Sequence, residues 1–188
     1  MSDWVSSSEQ YLAPAAAGGD PWRQEAARAG RVGAHRVILV ARRTAPEQVA
    51  RLLGISPEEP AVLRRRLVTL DGVPVEVCDS WYPARVADGT PLAEDRPVKG
   101  GAARALAERG HVAARHVEEL AVVDVPAELG DLLTDSPVLE LTRASYPEGA
   151  DADAAAFEVA VMLMSREMAP GVPRRLRYTF RPGPTAAA

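Results

Sequence analysis

The residue with most to offer chemically is a carboxylate set among apolar neighbours on a strand. In FEVAVMLMS, residues 157–165, alternation places Glu158 on one face with Ala156, Ala160, Met162 and Met164. A carboxylate projecting from an apolar, adaptable surface needs a partner, which is either a ligand or a structural arginine such as Arg143. Arg64 and Arg66 alternate onto one face of the run Ala61 to Leu70, and their planar forks suit a carboxylate or a phosphate. The alternative for this pair is a cross-strand ion pair, Arg64 with Asp79, and for Arg65 a diagonal one with Glu76. Trp81, closing the following strand, suits either a pocket wall or the core.

Other chemistries lack their residues. There is no GxSxG, paired CxxC, phosphate-binding glycine loop or dinucleotide fingerprint. Asp151 and Asp153 are two carboxylates without further ligands, and His35, His111 and His116 are scattered with no HExxH-like spacing and read as surface residues, so neither a metal nor a cofactor is expected. Cys78 is the sole cysteine, which rules out an intramolecular disulfide and suits a buried, inert thiol.

These side chains depend on a hairpin. Two β-rich runs, residues 61–70 and 73–82, flank Asp71-Gly72, a pair suited to a type I′ turn because both positions must accept positive φ. With that turn alone, Arg64 falls opposite Asp79 and Arg66 opposite Val77, and Trp81 shares their face. Both faces of the hairpin are apolar, as in a covered sheet. Further strands are predicted at 35–44, 112–125, 137–146, 157–165 and 174–180, and helices at 21–30, 45–54, 100–110 and 126–133. Hairpins outnumber crossovers, so the expected fold is α+β: a mainly antiparallel, six-stranded sheet with short helices packed on it. Residues 1–34 read as an N-terminal arm or linker with one short helix, 35–181 as the folded domain and 182–188 as a disordered tail.

An internal echo runs through this layout. PEQVARLLGISPEEPAVLRRR and PAELGDLLTDSPVLELTR both run helix, paired leucines, Ser-Pro turn and strand, with Pro60 six positions before Arg66 and Pro137 six before Arg143. Each leads to a strand carrying a Glu between apolar neighbours, Val75-Glu76-Val77 and Phe157-Glu158-Val159. Two similar half-units sharing one sheet are the expectation.

A net charge of −4 argues against a dominant attraction for nucleic acid. Lys99 is the only lysine and asparagine is absent, a usage typical of GC-rich coding. The N-terminus has no signal-peptide pattern and no apolar run reaches membrane-spanning length, so a cytoplasmic protein without membrane contact is expected.

The ordered set P-x-x-V-A-x-x-L-G, V-x-R-R-R-L-x-x-x-D-G-x-P-V-E, D-S-W-Y-P, PVLELTR and FEVAVMLM…RLRYTF resembles the UTRA effector-binding domain of GntR-type transcription regulators of the HutC subfamily over residues 35–181. The resemblance implies a chorismate lyase-like fold, a small-molecule effector, a homodimer and a role in transcription regulation. The expected ligand-binding residues are Arg64, Arg66, Trp81, Arg143, Glu158, Met162 and Met164; the resemblance bears on Glu158, whose position holds ligand in sugar-sensing members, and on Arg64 and Arg66, near which members place effector-site arginines. Family regulators carry a winged helix-turn-helix ahead of this domain, for which residues 1–34 are too few, so direct DNA binding by this chain is not expected. Gly101-Ala102-Ala103 stand where effector-binding members often have S-x-Y, which implies a more apolar ligand. The alternative function is an enzyme on the same scaffold, acting on a small carboxylate or aromatic metabolite through Arg66 and Glu158.

Overall fold

Asp71 and Gly72 both take positive φ, 49° and 83°, closing strand β3 (Pro60–Leu70) onto β4 (Val73–Pro83). Asp71 tolerates this because its carboxylate accepts from the Val32 amide at 2.8 Å and is paired with Arg31. The computed structural model describes residues 4–7 and 20–179. Within them a short β1 (Ser6–Ser7) precedes α1 (Pro21–Arg28), β2 (Gly33–Thr44) and α2 (Glu47–Leu53). After the hairpin come α3 (Ala84–Ala87), a 3-10 turn (Pro91–Ala93), α4 (Ala102–Ala107), β5 (Arg115–Val123) and a second 3-10 turn (Ala127–Leu129). β6 (Val138–Tyr146), β7 (Glu158–Met164), β8 (Glu167–Ala169), β9 (Val172–Pro173) and β10 (Leu176–Arg177) complete the chain.

Six strands form one antiparallel sheet in the order β2-β3-β4-β7-β6-β5. The α+β fold expected from the sequence is the one observed. Its order is the same read from either edge by half-unit, β2-β3-β4 against β5-β6-β7, so the sequence echo maps onto an approximate two-fold through the β4/β7 seam. Arg66 lies opposite Cys78, two residues after Glu76, and Arg143 lies opposite Ala160, two residues after Glu158. Each half therefore sets one arginine diagonal to one glutamate at the same relative position.

One face is closed by α2 and the second 3-10 turn. Val49, Ala50 and Leu53 of α2 pack on Leu63, Trp81, Ala144 and Val159, while Leu129 and Leu133 pack on Leu67, Val77, Val138 and Leu163. Leu53 is fully buried, worth roughly 1.5–3 kcal/mol. Among the described residues the other face is covered only at its ends. There α3 and α4 pack on Val62 and Tyr82, and α1 packs with Trp4 on Leu70 and Val75. α1 starts as its sequence predicts, with Asp20 capping the Trp22 amide at 3.0 Å and Pro21 at the first position. It sits so close to β2 that a Cβ on Gly33 would lie 2.8 Å from Ala26 Cβ.

Four expectations change. A bulge in β4 sets Val68 opposite Glu76 and Thr69 opposite Pro74, leaving Val75 as the extra residue. The slip of one position moves Arg64 opposite Ser80 and Arg66 opposite Cys78, turns Trp81 to the helix-covered face and brings Tyr82 onto the arginine face. The pairing of Arg64 with Asp79 is accordingly replaced by Arg65, whose Nε and Nη2 reach the two Asp79 oxygens at 2.7 and 2.6 Å; Arg65 has no diagonal partner in Glu76. The strand foreseen at 174–180 is reduced to a two-residue β10, which pairs in parallel with β1 outside the main sheet. The helix foreseen at 126–133 shortens to a 3-10 turn. Nor are residues 4–7 a loose arm: Trp4 is 7% exposed, stacks on Trp22 at 5.8 Å, and its Nε1 donates to Glu25 Oε1 at 2.7 Å. The tail foreseen at 182–188 lies outside the described residues.

Candidate functional site

The half-covered face holds a cavity of about 440 Å³, in the ordinary range for small-molecule sites. Its floor is the middle of the sheet: Arg66, Met162, Leu141 and Arg143, with Glu76 and Met164 toward one end and Glu158 toward the other. The roof is Val98 with the start of α4, where Gly100 and Gly101 take φ values of 80° and 84° and bring bare backbone over the floor. One side wall is the start of α1, from Asp20 to Trp22; another is Ser6 and Ser7 with Leu176.

Glu158 is half-buried. Its Oε1 accepts from the Tyr82 hydroxyl at 2.8 Å, and among the described residues no cation lies within ion-pair distance of it. Burial pushes its carboxyl above the ordinary value, against the Tyr82 hydrogen bond and the fields of Arg66 and Arg143. Tyr82 is held neutral, its pKa raised well up by burial and by the neighbouring Glu158. Glu76 is also raised, by burial first, although Arg174 stands 3.7 Å away and Arg66 and Arg143 lower it. Arg174 in turn donates to the carbonyls of Ser165 and Val75, at 2.9 and 2.7 Å. Arg143 pairs with Glu118 at 2.6 Å. Arg66 donates to Cys78 Sγ at 3.2 Å and, among the described residues, has no carboxylate within ion-pair distance. His35, at the rim, approaches Asp20 at 3.3 Å.

A family model for the UTRA domain matches residues 28–166. The chain belongs to the UTRA domain family. This UTRA domain is similar in fold to a protein described as a GntR-family transcriptional regulator, at 20% identity and a TM-score of 0.72, over 97% of this chain and 73% of the other. The effector domain of PhnF from Mycobacterium smegmatis superposes with a TM-score of 0.62 at 21% identity, over 88% of this chain and 98% of that one. The ligand-binding domain of a protein described as a GntR-family regulator from Bordetella bronchiseptica reaches 27% identity and a TM-score of 0.55, over 70% of this chain and 83% of its own. None of the curated proteins compared matches the chain. With family and fold agreeing, the protein is a ligand-binding regulatory domain.

Of the residues singled out in the sequence, the UTRA fold brings Arg66, Arg143, Glu158, Met162 and Met164 into the cavity. It places two elsewhere. Arg64, 4% exposed, turns away and donates to the carbonyls of Leu92, Glu94 and Arg96 at 2.9, 2.7 and 2.9 Å, fastening the connection beneath α4. Trp81 is core under α2, for the register reason given above. The cavity also contains Glu76, Arg174, His35 and the N-terminal segment, none foreseen as site residues. Glu76 had a signal: the echo aligns it with Glu158, so facing one toward a cavity faces the other there too. Cys78 is buried. Among the described residues no cluster of His, Cys, Asp and Glu is set to hold a metal, and no helix is long and apolar enough to cross a membrane.

Proposed function

We propose that this domain senses a small-molecule effector in the cavity between the sheet, α4 and the N-terminal segment, and that occupancy is relayed to transcription regulation. Arg66, Arg143, Glu158, Met162 and Met164 are the ligand contacts, and the site binds rather than catalyses. The observation that carries this reading is the separation of Arg66 and Glu158: both point into the cavity without an opposite charge in ion-pair contact, an arrangement that costs solvation unless a ligand supplies the partner. Ser6, Ser7 and Asp20 all line the cavity, so a ligand touches the segment ahead of the sheet, where HutC-type regulators join their DNA-binding half.

The remaining parts of the reading are a cytoplasmic homodimer that does not itself bind DNA. The outer strand β5 favours a dimer because its far edge has no strand partner among the described residues and the strand exposes Leu120 at 49% and Val122 at 72%. The net charge of −4 speaks against autonomous DNA binding. Mass spectrometry of small molecules released from the purified protein, compared between wild type and Arg66→Gln, tests the sensing role. A molecule retained by wild type and missing from the variant is the expected result; equal retention by both overturns it.

A further inference from the structure

Resting on the sensing role above, we infer that the ligand is a zwitterion, with one carboxylate held by Arg66 and one ammonium held by Glu158, joined by a spacer that passes beside Met162. The cavity's charges are balanced: Arg66, Arg143 and Arg174 face Asp20, Glu76 and Glu158. Such a site is neither a basic trap for polyanions nor an acidic one for cations.

Which charges remain open follows from the doubled layout of the sheet. Each half contributes an arginine diagonal to a glutamate, Arg66 with Glu76 and Arg143 with Glu158. One member of each diagonal has an outside partner: Arg143 is paired with Glu118 at 2.6 Å, and Glu76 has Arg174 at 3.7 Å. The members left over among the described residues are one cation and one anion, drawn from opposite halves and not in ion-pair contact with each other. A single bound molecule satisfies both only if it carries the opposite charge at each end.

The details fit that assignment. Tyr82 donates to Oε1 of Glu158, which leaves Oε2 able to accept from a second donor such as an ammonium. Arg66, with a weak sulfur contact at 3.2 Å, keeps its fork for a planar carboxylate. A dianionic phosphate would bring surplus negative charge beside Glu76 and Glu158. Met162 and Leu141 lie in the same cross-strand row as Arg66 and Cys78 and give a bound molecule an apolar flank, while the row between Arg66 and Glu158 holds the buried Ser80 and Ala160.

The test is a thermal-shift and calorimetric screen of matched compounds in four classes. These are amino carboxylates with aliphatic and aromatic spacers of graded length, the corresponding carboxylates without the amine, the amines without the carboxylate, and phosphate monoesters. Binding confined to the amino carboxylates, and weakened at least tenfold both by Arg66→Gln and by Glu158→Gln, is the expected result. Arg66→Lys and Glu158→Asp, which keep the charges, should retain part of the affinity and guard against loss through misfolding. Tightest binding by phosphate esters or by single-charge compounds, dependent on Arg66, overturns the zwitterion while leaving the sensing role intact. No binding in any class counts against both, as does binding indifferent to both variants.

Discussion

Arg64 and Arg66 sit two residues apart on one strand face, yet the structure gives them opposite fates under substitution. Arg64→Met keeps much of the buried aliphatic stem and removes the fork. Three charge-assisted bonds of 2.7 to 2.9 Å are lost, from Leu92, Glu94 and Arg96; the contact to Pro91 at 3.3 Å is too long to count heavily. Each such bond contributes about 1.5 kcal/mol at the low end of its range, and the arginine's own desolvation cost offsets part of the total. The expected loss is about 3–4 kcal/mol, or about 6–16 °C in Tm for a domain of this size. Arg66→Met removes one weak contact to a sulfur and should change apo stability by less than about 1 kcal/mol. Urea titration of both variants, read by tryptophan fluorescence, gives the comparison. A stable Arg64→Met protein, or an Arg66→Met protein that unfolds more easily than it, refutes the assignment of one arginine to the frame and the other to the ligand.

Replacing Glu158 by Gln keeps its shape and removes its charge; a ligand donating to the carboxylate should bind roughly 10- to 100-fold more weakly by calorimetry, from the ~1.5–3 kcal/mol of a charge-assisted bond. A lowered apo Tm with unchanged affinity would make Glu158 structural instead. Glu76 and Glu158 both hold their protons more tightly folded than unfolded, so the folded chain carries more protons between 4.5, the ordinary glutamate value, and their raised values. Stability contributed by these groups is therefore complete below 4.5 and is lost as pH rises through the raised values; melts of a Glu76→Gln, Glu158→Gln double variant should show a flatter slope in that window, and an unchanged slope would contradict it. Finally, Leu120→Lys with Val122→Lys on the β5 edge should shift a dimer toward monomer in sedimentation, and no shift would move the interface off this edge.

Much of the sheet was legible because the Asp71-Gly72 turn and the alternation of β7 are local signals. The bulge at Val75 was not. Both faces of the β3-β4 hairpin are apolar, so a one-residue slip leaves no mismatch in the pattern, and the only local hint is Pro74, which lacks an amide for the ladder. That slip decided which aromatic lies on the cavity side of the sheet and donates to Glu158, Tyr82 in place of Trp81. The shared face of Glu158, Met162 and Met164 was legible because no bulge interrupts β7. Arg174, Asp20 and Ser6 reach the site from the two ends of the chain through contacts that depend on tertiary packing alone, for which sequence spacing carries no signal.

The deciding question is where a small molecule lands. The chain has four methionines, of which Met162 and Met164 line the cavity and Met168 packs with Trp4 and Trp22. With the methionine methyls labelled with carbon-13, proton–carbon spectra recorded while a protein-free small-molecule extract is added should show the Met162 and Met164 signals moving while Met168 stays in place, and Arg66→Gln should abolish the movement. Unmoved signals, or movement at Met168 alone, would contradict the cavity as the effector site.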